Sequence, residues 1–403
     1  MVSSNDLDLV SSEVFADPYP YYKRLREEHP VYWNQSLNAW ILTRYCDVER
    51  LLLDKRLSSQ KDARIQEMLP AQLNLEFQAL FHFFSLWMVF SESPLHTRLR
   101  CAAANALKQV VDRSLEDYIC RCAKDLFARI SKKGEMDVLH DIGHLLPLRV
   151  ITNILGFAPE HIALLDKWSN DIVACLTSGR PIPELCRQAQ KSLFSFRELF
   201  NITINDRRRT PKRDLITALA NEGQKSSTLN EEEIFAISAN LVIAGYEPTL
   251  NFIANGILSL LTYPSQLDKL RDNVSLLDTT IEELLRYECP FVYSGRIATE
   301  DFDIESKRVR IGERVLLMLA SANHDPSVFV DPESLDISRD PNPHLAFGLG
   351  RHFCFGAALA RAEMRAVIKE VMLNLPTMRL VDTFIQWKPY IGLRAVKSLV
   401  VQF

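Results

Sequence analysis

From Leu95 to about Gly223, apolar residues recur at spacings of three and four, as in RLRCAAANALKQVVDRSLEDYICRCAKDLFARI. That is the period of helices with one buried face. Pro159, Pro181, Pro183 and Pro211 divide the stretch into separate helices. RRRTPKRD at 207–214 reads as a basic, solvated connecting loop. Nearer the start, VFADPYPYYKRLREEHP reads as a turn into a short helix, with Pro18 and Pro20 near its start and Pro30 past its end. VYWNQSLNAWILTRY carries two β-rich stretches around a turn at Gln35–Asn38, which predicts a hairpin, and DVERLLL at 47–53 returns to helix.

The longest apolar pattern begins after Asn230, which can cap a helix whose first turn holds Glu231, Glu232 and Glu233. It runs to Pro264, roughly 30 residues or about 45 Å at the helical rise. Its apolar residues lie nearly all round, so it should be central. Residues 265–290 are helical again, and 291–320 turn to short strands with a turn at Gly312. A long coil without period occupies 321–352, a last helix covers about 357–375, and the C-terminus is strand-like. These elements predict a mainly α fold with a minor β region, in one large domain spanning 1–403.

Composition narrows the function. The net charge is −4 over 403 residues, so no basic surplus draws the chain to nucleic acid. FQALFHFFSLWMVF at 77–90 contains Gln78 and His82 and is too short and polar for a membrane span of roughly 20 residues. MVSSNDLDLV lacks the basic and apolar regions of a signal peptide, so the expectation is a cytoplasmic protein without a membrane anchor. The cysteines are Cys46, Cys101, Cys120, Cys122, Cys175, Cys186, Cys289 and Cys354, with no C-x-x-C pair, and read as reduced thiols.

Cys354 carries the chemistry. It stands where the glycine-rich coil Phe347-Gly348-Leu349-Gly350-Arg351-His352-Phe353-Cys354-Phe355-Gly356 meets a helix beginning AALAR. Amide N–H groups and partial positive charge at a helix start favour the thiolate, the form that binds metals. Gly348, Gly350 and Gly356 let a flat group approach the backbone. The run from Phe347 to Arg361 resembles the haem-binding loop of cytochromes P450, F-G-x-G-x-H-x-C-x-G-x-x-L-A-R, at every specified position. Resemblance extends over nearly the whole chain, to the soluble bacterial type.

That resemblance implies haem b, with Cys354 as the thiolate ligand of iron and Phe347, Gly356, Ala244 and Gly245 against the haem. Glu283-Leu284-Leu285-Arg286 matches the family's E-x-x-R, and Arg339 would complete a structural cluster that holds the coil. PLHTRLR at 94–100 resembles the family's third-helix motif, so His96 and Arg100, together with Arg296 and His352, are expected to meet the haem propionates. The implied activity is oxidation of a small organic substrate with dioxygen and two electrons, by hydroxylation or epoxidation, in secondary-metabolite biosynthesis. Electrons would come from a ferredoxin and its reductase, docking on proximal cations such as Arg351, and the protein would be a monomer.

The central helix departs from the family pattern. Ala244-Gly245-Tyr246-Glu247-Pro248-Thr249 stands where A-G-x-[D/E]-T-[S/T] is usual. Glu247 keeps the acid, expected to deliver protons, with Thr249 behind it. Pro248 removes a hydroxyl and leaves the Ala244 carbonyl without its helix donor, which should kink the helix. Three readings remain open. Thr249 or a water replaces the hydroxyl; a substrate hydroxyl does; or the enzyme uses peroxide or inserts no oxygen. A non-catalytic haem sensor or carrier is a remote fourth. Trp87, Asn240, Ile243, Val292 and Val396 are candidates for the substrate pocket. Phe77, Phe81, Phe83 and Phe84 either join Trp87 there or are plain core. His140 and His144, four apart, could share a metal or simply pack or cap.

Overall fold

Strands are confined to the front and the last third of the chain, with one exception, and helices make up most of the rest. The computed structural model describes residues 9–60, 70–177, 182–226, 229–382 and 384–403. Pro181 and most of MVSSNDLDLV therefore lie outside the described residues. The chain divides into two compact units. One holds residues up to Ser58, Ala123–His144 and Pro248–Phe403; the other holds Ser59–Cys122 and Leu145–Glu247.

The first unit contains the sheets. Strands β1 (Val31–Asn34) and β2 (Ala39–Leu42) form the expected hairpin, with Val31 opposite Leu42 and Asn38 in the left-handed region at the turn. β2 runs parallel to β8 (Arg314–Leu317), which pairs antiparallel with β5 (Ser294–Ala298), and β5 pairs with β3 (Leu57–Ser58). β6 (Phe302–Ile304) and β7 (Lys307–Val309) make a separate hairpin. β4 (Glu135–Asp137) is the exception: it lies within the stretch expected to be helical. It pairs with β10 (Val400–Gln402), which also pairs with β9 (Arg379–Leu380). Three residues carry too little pattern to announce a strand, and its partner arrives only at the end of the chain.

The second unit is helical. Its helices include Leu95–Lys108, Leu145–Leu155, Ile162–Thr177, Pro183–Arg209 and Leu215–Ser226. The solvated loop expected at 207–214 holds for residues 208–213, which are exposed, but not for its two ends. The helix continues to Arg209, and Arg207 is buried, donating to Asp214, to Asp206 and to the Gly156 carbonyl. Three adjacent arginines look like a solvated run only until two acids and a carbonyl fold onto one of them.

Both units share the central helix, Glu231–Thr262. Asn230 caps it as expected: its Oδ1 accepts from the Glu233 N–H at 2.9 Å, and its own N–H donates to Glu233 Oε2 at 3.0 Å. Arg98 then holds Glu233 through two donors, at 2.8 and 2.5 Å. The helix passes Pro248 without interruption. Tyr246 donates to Asp166 at 2.7 Å, and Asn255 donates to the Arg394 carbonyl at 2.9 Å. Within each unit these anchors hold the helix against the local loss caused by the proline.

In the first unit, the coil leading to Cys354 is fixed by a buried ion cluster. Arg286 and Glu283, both fully buried, sit one turn apart on Leu277–Tyr287 and join through two hydrogen bonds of 2.8 Å. Arg286 also donates to the carbonyls of Asn323, Pro332 and Ser334. Arg339 Nε donates to Glu283 at 3.1 Å, and Asn342 and the Asp336 N–H fill its remaining acceptor sites. Glu282, beside it, accepts from Arg361 at 2.6 and 2.7 Å and contacts His344 Nε2 at 3.0 Å. Burial alone would raise the Glu282 carboxyl; hydrogen bonds from Arg361 and His344 outweigh it and hold the group at about 2.

Glu283→Gln is expected to destabilise the protein by about 3–5 kcal/mol, the cost of stranding buried guanidinium groups. Urea unfolding followed by far-UV circular dichroism checks this; a change under about 1 kcal/mol, the worth of a surface pair, would contradict it. Glu282 makes a separate prediction. Its folded pKa is depressed, so its stabilisation is complete above the unfolded value of 4.5 and disappears as pH falls toward 2. Arg361→Met should therefore cost about 2 kcal/mol at neutral pH and flatten that acid limb of the stability profile.

Candidate functional site

The candidate loop is built from short hydrogen-bonded turns. The Leu345 N–H donates to Asn323 Oδ1 at 2.7 Å, and the Gly348 N–H donates to the Leu345 carbonyl at 2.8 Å. Gly348 and Gly350 adopt left-handed backbone, with φ of 67° and 73°. That left-handed backbone favours glycine at Gly350, while the nearby Leu53 side chain, half exposed, could yield to a Cβ. A tight turn, Gly350–His352, follows, and the Cys354 N–H closes the loop onto the Phe347 carbonyl at 2.9 Å. The helix Ala357–Asn374 starts three residues after Cys354. Arg361, on its first turns, packs its guanidinium over the Phe347 ring at 4.6 Å while holding Glu282. The loop is thus tied to the buried ion cluster from both sides.

Cys354, Phe347, His352 and Gly356 are partly exposed, and space stands open above Gly356, where a Cβ would meet nothing within 4 Å. Arg296, on β5, is buried and donates to Ser294 Oγ at 2.7 Å and to the Gly295 carbonyl at 3.0 Å. In the second unit, His96 is buried and Arg100 half-buried, one turn apart on Leu95–Lys108. With His352, these are the residues that the sequence expectation assigns to carboxylate arms.

A further feature is visible only in the pattern of burial. From Glu233 to Leu260 the central helix is buried except at Leu241, Ala244, Gly245 and Pro248. Those positions follow the i, i+3, i+4, i+7 spacing of a single face. Ala244 is exposed on it, and a Cβ on Gly245 would meet only Ile151, 3.7 Å from its Cδ1 and 3.8 Å from its Cγ1. At its middle, Ala244 and Gly245 have side chains small enough for a flat group to come close to the helix. Glu247 and Thr249, both buried, flank the stripe on opposite sides at 100° per residue. Ile243 lies across the helix from it, and Asn240 to one side, both buried. Leu241, which sequence reasoning passed over as one more apolar residue, belongs to the stripe.

The other candidates sort by packing. Phe77, Phe81, Phe83, Phe84 and Trp87 are all buried. Phe83 meets Phe235 at 5.2 Å, Phe235 meets Phe196 at 5.5 Å and Phe200 at 5.2 Å, and Trp87 stacks on Phe90 at 6.0 Å. They pack together in the second unit with Phe196, Phe200 and Phe235. Trp87 keeps one distinction: its Nε1–H is buried with no acceptor among the described residues. Val292 and Val396 are buried in the first unit, Val396 bridging to Trp387. His140 is exposed beside Asp141, so it does not pack in a core, and no cluster of three metal-ligating side chains exists among the described residues. Arg339 joins Glu283 and Arg286, as expected. Sequence reasoning missed Arg98, Glu282 and His344; adjacent acids at 282–283 were the available sign that the helix holds two partners.

A family model described as Cytochrome P450 matches residues 176–377. The biotin biosynthesis cytochrome P450 of Bacillus subtilis (strain 168) is 36% identical over 398 residues, covering 98% of each chain. The polyketide biosynthesis cytochrome P450 PksS of the same organism is 33% identical over 399 residues, covering 96% of each. A crystal structure of P450BioI in complex with hexadec-9Z-enoic acid ligated acyl carrier protein superposes with a TM-score of 0.89 at 34% identity, covering 97% of this chain and 99% of that one. The chain belongs to the cytochrome P450 family and is a haem-thiolate monooxygenase.

Proposed function

We propose that this P450 oxygenates the acyl chain of a biosynthetic intermediate, with Cys354 as the iron ligand. The observation that carries the reading is the loop Phe347–Gly356, closed by the Cys354–Phe347 hydrogen bond and locked through Arg361 to the buried ion cluster. When bound, haem supplies the redox and oxygen chemistry. The protein's own residues supply position, dryness and protons. His96 and Arg100 in one unit, and Arg296 and His352 in the other, are the proposed donors to the propionates. Phe347 and Gly356 offer the loop face, and Ala244 and Gly245 the helix face.

Glu247 is the proposed proton carrier, with Thr249 behind it. Pro248 offers no hydroxyl, so the acid and the following threonine must do what an acid–alcohol pair usually shares. The protein's relatives support dioxygen chemistry over a peroxide route or a sensor. Acyl substrates are supported by the P450BioI complex, whose acyl carrier protein bears hexadec-9Z-enoic acid. Within the second unit, the unmet Trp87 N–H suits a substrate that carries a polar acceptor. A ferredoxin and its reductase are the proposed electron donors, with exposed Arg351 as one docking cation. We further propose a cytoplasmic monomer; no helix among the described residues is long and apolar enough to cross a membrane.

Titrating the ferric protein with hexadec-9Z-enoic acid, free and attached to acyl carrier protein, tests the substrate class. A saturable low-spin to high-spin change is expected, tighter for the carrier-bound chain; steroids and macrolides shifting the spectrum while acyl chains do not would replace this reading. Cys354→Ala should keep the fold by circular dichroism and lose the thiolate signature of the reduced carbonyl spectrum. Glu247→Gln should lower kcat about 100-fold, within the range for a lost proton-transfer group, leaving the substrate-induced spin change intact. An unchanged kcat would assign proton delivery elsewhere.

A further inference from the structure

Helices Ile162–Thr177 and Pro183–Arg209 are consecutive in the chain and pack against each other within one unit. Where they meet, the Cys175 thiol donates to Cys186 Sγ at 3.6 Å. Cys175 is half-exposed, and Cys186 is 1% exposed. A disulfide needs an S–S separation of about 2.0 Å. The two sulfurs are already in hydrogen-bond contact, so the bond needs them to close by about 1.6 Å.

The surroundings differentiate the two sulfurs. Cys186 lies in the first turns of its helix, its N–H donating to the Ile182 carbonyl at 3.0 Å, with Arg187 beside it. The Cys175 S–H donated to it holds the Cys186 thiol below its ordinary range, with Arg187 assisting, while Cys175 is pushed up. Cys175 is the more accessible of the two residues, and Cys186, with its lowered thiol, is the resolving nucleophile.

We propose that Cys175 and Cys186 form a redox-modification site, a thiol pair that a low-molecular-weight disulfide converts into a cross-link between these two helices. Cys175 releases its proton to water and attacks one sulfur of glutathione disulfide. The small disulfide breaks, and one glutathione leaves as a thiolate that takes a proton from water. Cys186 then loses its proton and attacks Cys175 Sγ; the protein S–S bond forms, and the second glutathione leaves and is protonated in turn. Two protein thiols are oxidised by two electrons, and one glutathione disulfide is reduced to two thiols. The bond closes a short stretch of chain, restricting the unfolded state more than the folded one. This site shares no residue with the proposed haem contacts and stands independently of the substrate reading.

The test uses the haem-loaded full chain, equilibrated in buffers of increasing glutathione disulfide, then alkylated and mapped by non-reducing peptide mass spectrometry. Expected is a saturable 175–186 cross-link, reversed by excess reduced glutathione, with glutathione adducts confined to exposed thiols such as Cys46, Cys101 and Cys120. Cys186→Ser should instead accumulate the adduct on Cys175, and Cys175→Ser should leave Cys186 unmodified. The cross-linked protein should melt a few degrees higher than the reduced one, a difference absent from both variants. Full alkylation of both sulfurs in the oxidising buffer, a stable adduct on Cys175 in the unaltered protein, or a bond to a different cysteine would overturn the proposal.

Discussion

The carboxylate of Glu283 is the point on which the first unit depends. Fully buried, it takes donors from Arg286, Arg339, Asn342 and the Asp336 amide. Isolated burial of such a charge is prohibitive, so the group persists only because its acceptor sites are filled. Arg286 in turn gathers three carbonyls from a coil that has no ladder of its own. A segment from about 323 to 349 without regular structure would otherwise carry unsatisfied backbone groups. One ion cluster therefore replaces a sheet or a helix as the scaffold, and what it orders is the approach to Cys354.

The same economy appears one residue earlier. Glu282 ties Arg361 and His344 together, and Arg361 lies over Phe347. The Glu282–Glu283 step thus faces two ways, with 283 inward to the coil and 282 toward the helix that follows the proposed ligand. A P450 must hold its thiolate in a fixed orientation through changes of iron charge, and a loop clamped at both ends by charge-assisted hydrogen bonds does that better than one held by apolar contacts, which are non-directional.

In the central helix, rigidity and access are combined. A capping box, Arg98 on Glu233 and Tyr246 on Asp166 fix the helix in the second unit, and Asn255 fixes it in the first. Against that fixed background, the only open positions between Glu233 and Leu260 are Leu241, Ala244, Gly245 and Pro248. Pro248 sits on this stripe rather than among the packed faces. Its lost hydrogen bond therefore falls where the helix already borders open space, while the buried faces keep their contacts.

Much of this was legible in the residues. The spacing from Phe347 to Arg361 identified the haem loop, Glu283 and Arg286 announced their own pairing at i, i+3, and Asn230 with Glu233 wrote out a helix start; each is local, and local geometry is fixed by a few neighbouring side chains. Long-range pairing was not legible. β4 has no pattern until β10 completes it, and Arg207 looked solvated until Asp214 and the Gly156 carbonyl covered it. Nor did the aromatic run from Phe77 to Trp87 show that Phe83 meets Phe235, and through it Phe196 and Phe200. By itself the sequence determined the family, the cofactor class and the local devices that hold the loop. Which side chains are packed away and which face open space was decided by the tertiary structure, because burial depends on residues far apart in the chain meeting at one place.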